Sequence, residues 1–531
     1  MNLKSKLALS LALLAITNAL KPNDVSGHTF FYPRPMFQSC SSEKTVLFRD
    51  RSLAREGGLG GAFQIVPFGG QTTRSSELNR FFGPWPKDEF IVKETPADNP
   101  NYNDRDINAN LFNIETANGN FESVFKFKPK QTFTGIGFTH RQHLHHRDTY
   151  DKKWWLEWNL PIIHIKNDMR ISETVMDNDN GGALPTKNAN LTEALKGNNA
   201  VGTTADSENT WSFGKIDGSR KRTSVADIEL KIGYSYMDND CCYFESYFGI
   251  QIPTSHRPNG EYVFEPLAGH NGHFALMTGW ASAFQLWSSC DGEKTLYSEI
   301  EFNSRYFVSR NETRSFDLKE KPWSRYMPVY ENQTAAENDT LTPGINVFTQ
   351  ELKVKPRFSH DINLGLVYNT CCFQGEVGWN FWARQAELVE LKDPWLTGNN
   401  APSIPDCCNP STVNRARNIR ENFTAVCLSS ADADCSLVCQ NANPDGTCTL
   451  IVPWQSATST ETYAPVTEQD LNLNSAAHPG AMSHTIYGSL GYKWDHWCYP
   501  PFVGIGGSYE LTGENTALNR WMLWAKTGFS Y

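Results

Sequence analysis

Strict alternation of apolar and polar residues limits the folds open to this chain more than any other feature. Between residues 226 and 236 every second residue is apolar or aromatic, and Asp227, Glu229 and Lys231 lie between them. A short turn through 238–240 follows, and the alternation resumes over 242–252. Because successive side chains of a β-strand point to opposite faces, the pattern predicts a hairpin of strands with two different faces.

The same unit recurs around residues 290–292, 371–372 and 495–501, so that short turns alternate with long polar segments. That asymmetry is typical of an up-and-down antiparallel transmembrane β-barrel with short periplasmic turns and long extracellular loops. We therefore predict an all-β chain with about 14 strands (14 to 16). The predicted strands are 60–69, 107–115, 121–128, 132–143, 154–166, 225–236, 242–252, 273–287, 295–308, 346–369, 373–385, 484–494, 502–511 and 518–531.

The first residues have the three parts of a cleaved secretory signal. Lys4 and Lys6 precede an apolar run over 7–16, and small residues at 17–19 form a cleavage site. We predict a signal peptide (1–19), an N-terminal periplasmic or plug segment (20–59) and a transmembrane barrel (60–531) with a Cys-rich extracellular loop (386–481). After residue 20 no apolar run reaches the roughly 18 to 20 residues that a membrane-spanning helix needs.

The last strand alternates up to an aromatic end at Phe529-Ser530-Tyr531. With the signal peptide, the two-faced strands and the paired Cys at short turns, the chain resembles bacterial outer-membrane porins. It is closest in character to the cysteine-rich major outer-membrane proteins of chlamydiae and the pore-forming outer-membrane proteins of Legionella. The resemblance implies a pore-forming barrel in the bacterial outer membrane, within an envelope strengthened by disulfide bonds.

Charged residues on the polar faces of the strands are the predicted lining of a water-filled lumen, because the apolar faces would contact lipid. Six acids are balanced by six bases, so the set does not predict whether cations or anions pass. The predicted pore-lining residues are Asp227, Glu229, Lys231, Glu245, Glu299, Glu301, Arg305, Glu351, Lys353, Lys355, Arg520 and Lys526.

The 13 cysteines of an exported chain are candidates for disulfide bonds, since export leads to an oxidising compartment. One set lies at short turns and is predicted to gather on the periplasmic rim, and the other lies in the long loop, where zinc is the weaker alternative. The first set is Cys40, Cys241, Cys242, Cys290, Cys371, Cys372 and Cys498. The second set is Cys407, Cys408, Cys427, Cys435, Cys439 and Cys448.

No nucleophile elbow, phosphate-cradling loop or HExxH motif occurs, so we expect no enzyme activity, no catalytic residue, no bound metal and no cofactor. The formal net charge of -10 argues against a nucleic-acid partner. The expected partners are outer-membrane lipid and small hydrophilic solutes. Homo-oligomers and disulfide-linked envelope proteins remain open as further partners.

Three functions agree with these features. The first is a porin-like channel for passive diffusion of small hydrophilic solutes. The second is a disulfide-linked structural or adhesive barrel whose outer loops bind host surfaces. The third is a transporter of hydrophobic solutes in which residues 20–59 form an N-terminal plug. A channel needs an unblocked lumen, whereas an adhesive barrel tolerates a closed one.

Overall fold

The computed structural model describes residues 25–38, 40–46, 60–74, 76–94, 105–146, 153–200, 210–239, 241–330, 341–370, 372–395, 402–404, 417–418, 464–494, 497, 499–513 and 516–531. The predicted signal peptide lies outside these ranges, as does most of the Cys-rich loop.

Twelve antiparallel strands close into a barrel, and a thirteenth strand is added to its wall. The barrel strands are β1 (Gly61–Thr72), β2 (Lys130–His146), β3 (Lys153–Asp168), β4 (Ile228–Asn239), β5 (Cys242–Ile252), β6 (Ala275–Ser288), β7 (Thr295–Phe307), β8 (Arg357–Asn369), β9 (Phe373–Arg384), β10 (Ala481–Lys493), β11 (Pro501–Leu511) and β12 (Arg520–Ser530). Each strand pairs with its neighbour in sequence, and β12 closes the ring against β1 with Phe63 opposite Phe529.

The added strand, Ser219–Val225, shares the edge of β3 with β4. It pairs with Ile162–Asp168 of β3, while β4 pairs with Lys153–Asn159. The wall beside β3 therefore continues from β4 into Ser219–Val225 after a break at residues 226–227.

The predicted count of 14 strands is not confirmed, and two predicted strands explain the difference. Residues 107–115 and 121–128 lie outside the barrel, where Ile107–Asn108 and Glu122–Phe127 belong to a separate sheet with Phe90–Lys93 and Ile171–Asp177. The predicted strand 346–369 is also two strands. The strand is interrupted at Arg357, which has a φ of 65°. β8 therefore lies in the barrel, whereas Thr349–Lys355 lies outside it.

The described parts of the long connections fold together at one end of the barrel into a compact structure that we call the cap. Its core is apolar, with Phe81 at 0% and Trp323 at 1% exposure. Helices are Ser76–Phe82, Leu191–Ala194 and Gly344–Val347, with 3-10 turns at Ala109–Phe112, Ser324–Tyr326, Glu468–Asp470 and Leu473–Ala476. Its further strands are Arg310–Ser315, Thr349–Lys355, Leu388–Leu391, Asp317–Leu318, Leu471–Asn472, Pro328–Tyr330, Leu341–Pro343, Pro402–Ile404, Arg417–Asn418 and Ala464–Pro465.

The opposite end of the barrel carries the short turns, and we call it the short-turn end. The chain enters β1 and leaves β12 at this end, and the connection from β4 to β5 is two residues long. No helix in the described ranges has both the length and the apolar character to cross a membrane.

Candidate functional site: the barrel lumen

The barrel wall buries polar side chains on its inner face and exposes apolar ones on its outer face. Along β4, Glu229 and Lys231 are each 4% exposed, whereas Leu230 is 39% and Ile232 is 44% exposed. Water-soluble proteins place these residue types the other way round. The sequence alternation predicted this arrangement, because alternate residues of a strand lie on opposite faces.

The inner space contains the chain's own N-terminal segment, described over residues 25–38 and 40–46. At the cap, the backbone N–H of His28 donates a hydrogen bond to the Phe81 carbonyl at 3.1 Å. Farther along, Gln64 near the start of β1 donates to the Lys44 carbonyl at 2.9 Å. Because β1 starts at the short-turn end, the N-terminal segment runs down the lumen from the cap toward the short turns.

Near the cap, the N-terminal segment joins an ion-pair network of the wall. Arg305 of β7 lies 2.9 Å from Glu229 and 2.7 Å from Asp361 of β8. Arg34 of the N-terminal segment lies 3.0 Å from the same Asp361 and 4.0 Å from Glu510 of β11. One cation of the N-terminal segment therefore connects acids on two separated strands of the wall.

A second network lies closer to the short-turn end and is centred on Glu157 of β3. Its carboxylate lies 2.8 Å from Lys44 of the N-terminal segment, 3.0 Å from Lys231 and 2.7 Å from Arg141. Arg141 lies 3.1 Å from Glu245 of β5. All five charged groups are buried or nearly so, and breaking one side of such a pair leaves an uncompensated charge that costs about 3–5 kcal/mol.

Hydrogen bonds to the backbone hold the segment between these two networks. Asn380 of β9 donates to the Cys40 carbonyl at 3.1 Å, and Arg520 of β12 donates to the Arg34 carbonyl at 2.9 Å. Lys526 donates to the carbonyls of Lys44 and Val46. Wall strands on several sides of the barrel thus bind one continuous stretch of chain.

Where the cap meets the barrel, a further buried network surrounds Glu387. Burial alone would raise the pKa of this carboxyl, but Arg314 and Arg384 outweigh burial and hold its pKa well below the usual range. Arg384 lies 2.7 Å from Glu387, and the His478 N–H donates to Glu387 at 2.9 Å. Arg314 also stacks on the ring of Phe30, so the N-terminal segment, the cap and β9 meet here.

Nine of the twelve residues predicted to line a pore are buried and lie on or beside the barrel strands. They are Asp227, Glu229, Lys231, Glu245, Glu299, Glu301, Arg305, Arg520 and Lys526. Their contact with a passing solute stays a prediction.

The other three predicted lining residues are not on the barrel wall. Glu351, Lys353 and Lys355 belong to Thr349–Lys355, which pairs with Arg310–Ser315 and Leu388–Leu391 in the cap. Their side chains face solvent, where Glu351 pairs with Lys392 and Lys355 with Glu390. The prediction was wrong because the alternation of apolar and polar residues in this short strand continues into β8. The residue types do not reveal the backbone break between the two strands.

Sequence reasoning missed several members of the two luminal networks. Glu157 alternates with Trp154, Leu156 and Trp158, so strand periodicity could have identified it. Arg34 and Lys44 lie in an irregular segment without such a period. Nothing in their local sequence indicates that they enter a barrel.

The cysteines fall into two places among the described residues. Cys241, Cys242, Cys290 and Cys372 lie at or directly beside the short turns, as predicted. Cys40 does not lie on the periplasmic rim, because it is fully buried in the lumen beside Asn380. No disulfide bond joins one described cysteine to another, and the disulfide bonds expected from the sequence stay predictions. The cysteines outside the described residues are Cys371, Cys407, Cys408, Cys427, Cys435, Cys439, Cys448 and Cys498.

Comparisons with known proteins show a distant similarity of fold only. No family model matches the sequence, and no curated protein matches it. Similar solved structures include an outer membrane channel from Pseudomonas putida F1, which is 8% identical, with 91% of this chain and 98% of that chain covered and a TM-score of 0.37. A Pseudomonas aeruginosa FadL homologue is 7% identical, with 89% and 90% covered and a TM-score of 0.29. The transport unit of the autotransporter AIDA-I from Escherichia coli is 5% identical, with 90% and 91% covered and a TM-score of 0.31. Likenesses this distant say nothing about solute or partner, and the resemblance to chlamydial and Legionella proteins stays a prediction.

Proposed function

We propose that this chain is a bacterial outer-membrane channel for small hydrophilic solutes, and that its own N-terminal segment closes the lumen as a plug. The observation that carries the proposal is the pairing of Arg34 and Lys44 with the luminal acids Asp361 and Glu157. A charged wall suits hydrophilic solutes, and a segment held by ion pairs is a removable obstruction.

The outer face of the barrel supports placement in a membrane. Large apolar side chains on several strands are exposed, including Ile505 at 64%, Leu523 at 61% and Val377 at 60%. Exposed apolar area of this extent marks contact with lipid or with another protein. The closed ring also pairs the backbone groups of neighbouring strands, which hydrocarbon requires.

The inner face favours hydrophilic over hydrophobic solutes. The side-chain amide of Asn363 is buried and forms no hydrogen bond within the described part of the chain, as expected for a group that binds water. Charged groups such as Arg305 would face any solute that enters. A lumen of this kind disfavours the third function, transport of hydrophobic solutes, although it shares the plug.

Charge reversal in the plug tests the proposal. In the variant Arg34→Glu/Lys44→Glu, two attractions to wall acids become repulsions, so we expect the plug to leave its place. In planar-bilayer recordings of the refolded chain, the wild type should open rarely, and the variant should have an open probability at least about tenfold greater. A tenfold change corresponds to about 1.4 kcal/mol in the equilibrium between the closed and open states. A control, Arg80→Glu/Lys196→Glu, changes the same total charge on two half-exposed cap cations, which pair with Asp88 and Glu193 outside the lumen.

Folding of each variant is checked by its heat-dependent mobility in a gel. Correctly folded wild type and variant that both stay silent would contradict the channel and its plug together. The second function, a structural or adhesive barrel, would then account better for the closed lumen and the compact cap.

A further inference from the structure

Two lysines lie directly opposite each other on the outer face of the wall. Lys166 of β3 pairs with Lys221 of the added strand Ser219–Val225, and both side chains are exposed. The neighbouring positions Ile165 and Asn167 are buried on the inner face. Like charges directly opposite across two strands repel and destabilise the pairing.

The chain does not neutralise this pair within its described residues. Neither Lys166 nor Lys221 has an ion-pair or hydrogen-bond partner there. The nearest acid along the outer face of β3 is Asp168, and its carboxylate accepts a hydrogen bond from the Arg170 backbone N–H at 2.9 Å. An anion from outside the chain would relieve the repulsion.

The depth of the pair on the wall identifies the kind of anion. Outward residues of β3 from Trp154 to Ile162 are apolar, and polar residues begin at His164. Lys166 lies four residues beyond Ile162, or about 13 Å along the strand at about 3.3 Å per residue. With the membrane placement of the proposed function, Lys166 lies beyond the apolar band on the cap side, where lipid headgroups are found.

Hydroxyl groups surround the two lysines on the same face. Thr132 of β2 lies opposite Lys166, and Thr134 lies opposite His164. On the other side, Thr223 forms a hydrogen bond of 2.7 Å with His164. Ammonium and hydroxyl donors arranged together are suited to the oxygens of a phosphate group.

We propose that this surface, formed by Lys166, Lys221, Thr132, Thr134 and Thr223, binds the phosphate of an anionic lipid in the leaflet on the cap side. The apolar residues below it would contact the acyl chains of the same molecule. The inference rests on the membrane placement in the proposed function, but it does not depend on an open lumen.

Lipid retention tests the site. The refolded full chain in neutral detergent is mixed with bis-phosphorylated lipid A or with its dephosphorylated form, and bound lipid is counted by native mass spectrometry. We expect the wild type to retain the phosphorylated lipid. Lys166→Gln/Lys221→Gln should bind it about thirtyfold more weakly, since each lysine near such a headgroup contributes about a five- to sixfold gain and the two gains multiply. The control Lys294→Gln/Lys353→Gln removes one exposed lysine at the short-turn end and one in the cap, and should bind like the wild type.

Three outcomes would overturn the proposal. Equal retention of the two lipids would exclude phosphate recognition. Preference for the phosphorylated lipid that survives loss of both lysines would exclude this site. Displacement of the lipid by millimolar inorganic phosphate would assign the site to free phosphate. Conductance is measured separately, so a folded Arg34→Glu/Lys44→Glu variant that stays silent but still retains the lipid would contradict the proposed function and leave this inference standing.

Discussion

The barrel wall and the cap place the same residue types in opposite environments. In the cap, Phe81 is 0% and Trp323 is 1% exposed, and both pack in an apolar core. On the wall, Ile505 is 64% and Leu523 is 61% exposed, while charged residues such as Arg305 are fully buried. The cap therefore distributes its apolar and polar side chains as a water-soluble protein does. The wall distributes them as expected for a barrel with lipid outside and water inside.

The contrast teaches that exposure alone does not identify the solvent of a side chain. Met176 in the cap and Ile505 on the wall are both 64% exposed. We infer that Met176 is exposed to water, because it follows polar residues of a cap strand. We infer that Ile505 is exposed to lipid, because it lies midway along a wall strand. Substitutions at matched positions can break or sharpen this comparison.

The largest effect is expected in the cap core. Phe81→Ala removes a fully buried ring and should lower the free energy of unfolding of the cap by about 3–5 kcal/mol. The loss is measured by titrating the protein with denaturant and monitoring unfolding of the cap by its susceptibility to protease. Met176→Ala is the control and should change stability by less than about 0.5 kcal/mol. A small loss for Phe81→Ala would show that the cap lacks a well-packed core.

A smaller effect is expected from charge on the outer wall. Ile505→Arg should cost about 2–4 kcal/mol in the unfolding free energy measured in lipid vesicles, because an arginine near the bilayer midplane is poorly solvated. Met176→Arg, at equal exposure, should be near neutral. Equal costs at the two positions would mean that both face the same solvent, and the division between wall and cap would fail.

The smallest effect concerns the response of the cap to pH. Burial raises the pKa of Glu265 from 4.5 to about 7, against the opposing hydrogen bonds from the Asn259 and Gly260 N–H groups. A carboxyl with a raised folded-state pKa contributes stability that is complete below about pH 4.5 and is lost as the pH rises through about 7. Glu265→Gln should therefore stabilise the cap on the order of 1–3 kcal/mol at pH 8 and have little effect at pH 4.

The pH titration has a matched control at an exposed cap carboxyl. Glu193→Gln changes the same group where it is solvated, and its effect should be small at both pH values. Proteolysis rates of the cap at pH 4, 6 and 8 give the comparison. Destabilisation by Glu265→Gln at pH 8 would contradict the sign derived from burial.

The wall could be predicted from the sequence far better than the cap or the plug. Residues 242–252 were predicted as a strand and form β5, because alternation reports directly which side chains share a face. The cap core could not be predicted, since Phe81, Trp323 and Leu471 come from separate connections without a common period. Arg34 and Lys44 could not be placed because their partners Asp361 and Glu157 lie more than 100 residues away in sequence.

Hydrogen exchange of the N-terminal segment tests the central claim most directly. In the refolded full chain, peptides covering residues 31–46 are followed by mass spectrometry beside peptides from β1 and from the exposed strand Ile171–Asp177. The account predicts that the segment exchanges as slowly as β1. The lumen buries it, and the N–H groups of Phe37, Ser41, Lys44, Thr45 and Val46 donate hydrogen bonds within the segment. Complete exchange of residues 31–46 within seconds, with β1 still protected, would show that the segment does not occupy the lumen.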